Sequence, residues 1–173
     1  MENFQYYVEG EDEKKLLSTL KTELGVIAPG KIEVFNIVQD LITQIRLMQL
    51  KKGTTVVLVF DTDAGNVDIL KQNVKILNKC SAVKRVICVM QVRNLEDELV
   101  RSCNIRQIKE LLGSKSNKDY KHDLIAEKNL KNKLLQHDFD ILKMWSWQDQ
   151  GNYSKMENEG HKIKKGKGWE GKR

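Results

Sequence analysis

Two apolar segments of the sequence end directly in acidic residues. Glu9 follows the aromatic and β-branched residues 4–8, and Asp61 and Asp63 follow the apolar residues 54–60. If the two segments are neighbouring parallel strands, their carboxyl ends meet at one sheet edge, where open α/β sheets bind ligands. Clustered carboxylates repel one another unless a cation lies among them, and oxygen-only ligands suit Mg²⁺ or Mn²⁺. Such a cation serves phosphodiester chemistry because it neutralises charge on the phosphate.

The elements that must position these acids alternate between strand and helix. The patterns predict strands over 4–8, 31–36, 54–60 and 84–92, and helices over 11–24, 37–50, 66–79, 95–103, 105–112 and 124–137. Residues 139–147 fit either a last strand or a helical turn. The alternation predicts an α/β fold: an open sheet of about four mainly parallel strands, flanked by helices and followed by a short C-terminal α extension. If the strand order is 2-1-3-4, strands 1 and 3 are central neighbours and the acids converge between them.

The acid-bearing segments resemble the motifs of the Toprim domain. YVEGEDE at 7–13 has Glu-Gly after a strand, and VLVFDTDAG at 57–65 has Asp-x-Asp after another. The resemblance covers roughly residues 4–103. Toprim domains are shared by topoisomerases, bacterial primases, OLD-type nucleases, a ribosomal-RNA maturation nuclease and recombination mediators. This sequence departs from the family in its glycine, Gly65, which lies two residues after the second Asp and not three.

The resemblance implies a Mg²⁺- or Mn²⁺-dependent nuclease that cleaves DNA or RNA. Matched by position, Glu9, Asp61 and Asp63 would be catalytic and bind the metal, with Glu13 as a further ligand. OLD-type nucleases carry additional metal-binding acids after later strands, which makes Glu96 a candidate ligand. They also work with an ATPase, often in phage defence. This sequence has no GxxxxGK[ST] motif, so an ATPase would be a separate chain.

Other interpretations of these acids remain open. Around Glu96, Asn94 suits a helix N-cap and Asp97 a capping-box-like position, so this acidic cluster could serve only to start a helix. The Toprim domain could be a non-catalytic module that binds nucleic acid. Residues 58–63 (LVFDTD) also fit the nucleophilic Asp-x-Asp of a haloacid-dehalogenase-type phosphatase, although that motif normally opens its domain.

Basic residues are concentrated toward the end of the sequence. The net charge is +6, and residues 151–173 contain seven Lys/Arg against three acids, which favours a polyanionic partner such as DNA or RNA. We predict a catalytic core over 1–112, a helical extension of the same domain over 113–150, and a disordered basic tail over 151–173. The predicted nucleic-acid-binding lysines are Lys115, Lys118, Lys164, Lys165 and Lys167.

Two further functional residues cannot be fixed from the sequence. In the family's nucleases a lysine near the metals stabilises transition-state charge, and the pattern does not identify which lysine that would be. Trp145 and Trp147 could stack on bases, or could simply pack as alternating strand residues.

Composition excludes several classes of protein. The 173 residues suffice for one domain, and no apolar run is long enough to cross a membrane. The acidic N-terminal segment is unlike a secretory or mitochondrial leader, and the three cysteines have neither CxxC nor zinc-site spacing. We therefore expect a cytoplasmic protein with reduced cysteines.

Overall fold

A computed structural model describes residues 2–165 of the chain. Its strands are β1 (Asn3–Val8), β2 (Lys31–Val34), β3 (Thr54–Asp61) and β4 (Val83–Gln91). Its α-helices are α1 (Glu11–Ser18), α2 (Gln44–Met48), α3 (Val67–Lys79), α4 (Leu95–Ser102), α5 (Lys109–Leu112), α6 (Tyr120–Ala126) and α7 (Leu130–Gln136). A π-helical turn (Thr19–Glu23) continues α1, and a 3₁₀ turn (Gly160–Ile163) lies near the end.

The four strands form one parallel sheet in the order β2-β1-β3-β4. This confirms the predicted open α/β sheet, and the observed order meets the condition under which strands 1 and 3 are central neighbours. After β2 the chain crosses back over β1 to reach β3, so β1 and β3 are the two central strands. The strand order reverses between them, since β2 is added on one side of β1 and β4 on the far side of β3. Their carboxyl ends therefore flank the switch point of the sheet, where a ligand crevice forms in this class of fold.

Helices and loops cover the sheet on both faces, and successive strand residues pack on opposite sides. Val57 and Val59 of β3 join a core with α1 and the C-terminal helices, whereas Leu58 and Phe60 join a second core with α3. Every residue of β3 before Asp61 is buried. An uninterrupted apolar run is what such a doubly covered central strand requires.

Three predicted helices are wrong in extent, and the one over 105–112 is reduced to α5, Lys109–Leu112. The helix over 37–50 is reduced to α2, because the segment before it is held as a loop by the buried side chain of Asn73 on α3. The Asn73 amide donates to the carbonyls of Ile37 and Asp40 at 2.8 Å and accepts from the amide of Ile42 at 2.7 Å. These bonds replace those a helix would have made. The helix over 124–137 is divided into α6 and α7, and residues 141–145 form turns, not a strand.

The prediction of disorder from residue 151 is wrong over 151–165. Tyr153 is buried, and its hydroxyl donates to the carbonyl of Ala64 at 3.0 Å. Residues Asn158 and Glu159 pair with the outer edge of β4 through their side chains and backbone. Lys164 then forms an antiparallel bridge with Ile27. Hydrophobic periodicity could not reveal this packing, because polar side chains on a strand edge make it. Residues 166–173 of the predicted tail lie outside the described residues.

Within residues 2–165, no helix combines the length and apolar character needed to cross a membrane.

Candidate active site

Glu9 and Asp61 meet at the switch point of the sheet. Glu9 directly follows β1 and Asp61 ends β3, and the parallel register of the two strands sets them side by side. The backbone amide of Asp61 donates to Glu9 Oε1 at 3.2 Å. The structure thus brings together two acids that are 52 residues apart in the sequence.

Side-chain amides from the end of β4 orient the two aspartates. Gln91 Nε2 donates to Asp61 Oδ1 at 2.6 Å, and Asn94 Nδ2 donates to Asp63 Oδ2 at 3.0 Å. The β3–β4 pairing continues into the loop, where the amide of Asp63 donates to the carbonyl of Arg93 at 3.0 Å. One oxygen of each aspartate is held in this way, which fixes the direction of the other.

Gly65 shapes the loop that carries Asp63. Its φ is +76°, and a Cβ placed on it would lie 2.3 Å from a methyl group of Val38. Both the backbone conformation and the close approach require glycine. Gly65 therefore lets the loop pack against Val38, whose carbonyl also accepts from the amide of Asn66 at 2.8 Å.

The first turn of α1 adds two buried acids beside Glu9 and Asp61. Asp12 and Glu13 are only 1% and 3% exposed, and Asp12 Oδ1 and Glu13 Oε2 are buried without a hydrogen-bond partner among the described residues. Gly10 leaves the space they fill, since a Cβ there would lie 2.7 Å from Asp12 Oδ1. Unpaired buried carboxylate oxygens are costly, so these two oxygens favour a proton or a cation between them, in addition to the ammonium of Lys121, which lies 3.3 Å from Asp12 Oδ2.

The site holds more negative charge than its surroundings stabilise. Burial raises the pKa of Glu9 to about 7, with the negative charges of Asp63 and Asp12 adding to the effect. Burial, together with the neighbouring charges of Glu9, Asp63 and Glu96, raises the pKa of Asp61 to about 8. The pKa of Glu13 is raised to about 9 by burial and by Asp12. A bound cation would reverse the unfavourable interactions among these charges.

The acids after β4 have different roles. Glu96 is half-buried, and its charge acts on Asp61. Asp97 belongs to the helix start, where its backbone amide donates to Asn94 Oδ1 at 3.0 Å, so the predicted N-cap is confirmed. Glu98 is fully buried and structural, because its carboxylate accepts from Val92 N, Trp145 N and Arg101 Nη2.

The donor set fits a hard divalent cation in its chemistry. All the candidate ligands offer oxygen, and the partnerless oxygens of Asp12 and Glu13 lie beside them. As the side chains stand, however, no three His, Cys, Asp or Glu residues within 2–165 are grouped closely enough to hold a metal ion. Binding therefore requires carboxylates to turn toward one another, a change that the mutual repulsion described above would resist without a cation.

Lys121 lies beside the acids of the site. Its Nζ lies 3.3 Å from Asp12 Oδ2, and within residues 2–165 no other lysine is ion-paired with an acid of the site. It lies on α6, which packs against α1. Tyr120 precedes it, and its buried hydroxyl has no partner among the described residues. Sequence reasoning placed the start of this helix at residue 124, and so missed both.

The predicted nucleic-acid-binding lysines do not gather at the acids. Lys115 and Lys118 are exposed in the loop before α6. Lys164 is half-buried, and its Nζ donates to the carbonyl of Leu142 at 3.2 Å. Lys165 is exposed, whereas Lys167 lies outside the described residues. Their role in binding stays a prediction.

Comparison of the chain with family models, with curated proteins and with solved structures finds no match.

Proposed function

We propose that the protein is a Mg²⁺- or Mn²⁺-dependent nuclease that cleaves phosphodiester bonds in DNA or RNA. The observation that carries the proposal is the meeting of Glu9 and Asp61 at the switch point, joined by a hydrogen bond and surrounded by further buried acids. A module that only binds nucleic acid gains nothing from acids that repel one another and the phosphates of its ligand. The Toprim-like motifs at 7–13 and 57–65 support the same proposal, as does the net charge of +6.

Each residue of the site has a distinct role in this proposal. Glu9, Asp61 and Asp63 would hold the cation, with Glu13 and Glu96 as further ligands. Mg²⁺ held there would neutralise the negative charge of the scissile phosphate. Gln91 and Asn94 keep one oxygen of each aspartate in place.

Proton transfer and charge stabilisation fall to Glu9 and Lys121. Glu9 lies at the end of β1 next to Asp61, where its carboxylate can take a proton from the attacking hydroxyl or water and later return it. Lys121, more than half exposed, is placed to stabilise negative charge that develops on the phosphate. The resemblance to OLD-type nucleases extends the proposal to a separate ATPase chain as a partner.

The test is a cleavage assay of the purified protein with Mg²⁺ or Mn²⁺ on labelled single- and double-stranded DNA and RNA. Glu9→Gln and Asp61→Asn should each lower the rate by about 10²–10⁴-fold, because each removes a charge needed in the reaction. Glu11→Gln is the matched control, since Glu11 is exposed on the same turn of α1. Its rate should equal that of the wild type.

Thermal melting without metal separates loss of chemistry from loss of fold. Both site substitutions remove a buried acid with a raised pKa, so the melting temperature should stay unchanged or rise. A wild type that is inert on every nucleic acid would refute the nuclease, and hydrolysis of small phosphomonoesters by it would indicate the phosphatase. Full activity in both site variants would refute the proposed residues.

A further inference from the structure

An exposed tryptophan is stacked on a fixed arginine, which bonds to the residue that follows Gln91 of the proposed active site. The guanidinium carbon of Arg101 is 4.5 Å from the centre of the Trp147 ring. Trp147 is nevertheless 57% exposed, so one face of the indole rests on the guanidinium while much of the residue contacts solvent. Trp145, two residues earlier, is buried. The two tryptophans therefore differ in role, and only Trp147 is available to a ligand.

The arginine under the ring is held in place by buried partners. Its Nη2 atom lies 2.9 Å from Glu98 Oε1 and donates to the carbonyl of Val92 at 2.8 Å. Glu98 also accepts from the backbone amide of Trp145 at 2.8 Å, which fixes the turn that leads to Trp147. The carbonyl of Trp147 accepts from Asn158 Nδ2 at 2.7 Å. A large aromatic surface thus stays exposed on a rigid support.

This surface is connected to the acids through the end of β4. Val92, which holds Arg101, directly follows Gln91, which holds Asp61. Arg93 comes next, with a side chain three-quarters exposed and paired with Asp97. A nucleic-acid strand that runs from the tryptophan to the aspartates would therefore pass over residues 93 and 94, with the exposed Arg93 near its phosphates.

We propose that Trp147, backed by Arg101, is a stacking platform for a base of single-stranded nucleic acid. Aromatic rings and guanidinium planes are the groups on which proteins stack unpaired bases, whatever the sequence. Bases inside a duplex already stack on each other and do not offer a face, so the platform selects single strands or unpaired ends. The inference rests on the proposed function, because the stacked strand would be the substrate that the acids cleave.

Binding is measured without metal, so that it does not depend on cleavage. The probes are fluorescein-labelled 20-mers in EDTA: oligo-dT, oligo-U, a DNA duplex, and an abasic strand that keeps sugars and phosphates but lacks bases. The wild type should bind oligo-dT, oligo-U or both more tightly than the duplex or the abasic strand. A preference between oligo-dT and oligo-U identifies DNA or RNA as the substrate.

Trp147→Ala should weaken binding to the preferred single strand by about 5- to 100-fold and leave binding to the abasic strand unchanged. Trp147→Phe should restore most of the affinity, because a ring is kept. Leu142→Ala is the matched control, since Leu142 is an equally exposed apolar residue in the same region, at 59%. It should bind like the wild type.

Three results would overturn the platform: unchanged single-strand binding in Trp147→Ala, an equal loss on the abasic strand, or the same loss in Leu142→Ala. A change of oligomeric state in Trp147→Ala with unchanged binding would also overturn it and indicate a protein interface. The platform and the proposed function can fail separately. A protein that binds single strands through Trp147 but never cleaves them would refute the nuclease and support the platform. A protein that cleaves nucleic acid with no effect of Trp147→Ala on binding would support the nuclease and refute the platform.

Discussion

At the scale of single residues, Gln91 determines which way the Asp61 carboxylate faces. The amide is buried at the end of β4, and its 2.6 Å bond to Oδ1 leaves Oδ2 as the oxygen available to a ligand. Groups that orient a metal ligand in this way typically contribute 10- to 100-fold to metal affinity. Gln91 is therefore a positioning residue in the proposed site.

We expect Gln91→Leu to shift the metal dependence of stability. The substitution keeps the approximate volume of the side chain and removes the donor, so about 10- to 100-fold more Mg²⁺ should be needed for the same rise in melting temperature. The measurement is a Mg²⁺ titration followed by thermal melting, with the exposed Gln150→Leu as control. An unchanged titration in Gln91→Leu would show that Asp61 needs no such orientation.

The sequence could identify the acids but not the groups that hold them. Glu9 and Asp61 end recognisable strands, so the sheet rule alone places them at one edge. Gln91 is one of several polar residues near a strand end, and only the contact between β3 and β4 distinguishes it. Lys121 reaches the site through the packing of α6 on α1, which no local pattern records.

At the scale of elements, the loop over residues 37–42 shows a tertiary contact overriding a helical pattern. Its apolar residues Ile37, Val38 and Ile42 are buried as a helix face would be, but Asn73 bonds to the backbone of Ile37 and of Ile42. The same loop supports the site, because Val38 packs against Gly65 and accepts from the amide of Asn66. The apolar pattern predicted burial correctly and conformation wrongly.

Replacing Asn73 should therefore cost much more than replacing an exposed asparagine of the same helix. Asn73→Ala leaves two carbonyls and one amide without their partner, and we expect a loss of about 2–4 kcal/mol in the free energy of unfolding. Asn78→Ala, on the exposed face of α3, should change it by less than about 0.5 kcal/mol. Urea denaturation of the two variants measures the difference, and similar midpoints would mean that the loop is held by its apolar residues alone.

At the scale of the whole molecule, the acidic site makes stability depend on pH. Glu9, Asp61 and Glu13 have folded-state pKa values raised to about 7, 8 and 9, far above those of exposed carboxyls. The folded protein thus binds protons that the unfolded chain releases. The contribution of these groups to stability is present below about pH 4 and is lost as the pH rises to about 9.

Without metal, the melting temperature of the wild type should therefore fall relative to that of Asp61→Asn between pH 5.5 and 8.5. Comparing the two proteins cancels the titration of the groups that do not interact with Asp61. Added Mg²⁺ should reduce the difference at pH 8.5, because the cation takes the place of the protons. Parallel melting curves of the two proteins across this range would contradict the raised pKa of Asp61.

The paired edge of β4 also sets an order of events during synthesis. Cys88 and Met90 find their edge partners in Glu159 and Asn158, and Met90 is 68 residues before Asn158 in the chain. At roughly 5–20 residues per second, a ribosome needs about 3–14 s to make that stretch. All four strands have been synthesised by then, yet the outer edge of β4 still has unpaired amides and carbonyls. A nascent chain with such an edge is open to pairing with other chains, so the last hydrogen bonds to form are those that end this exposure.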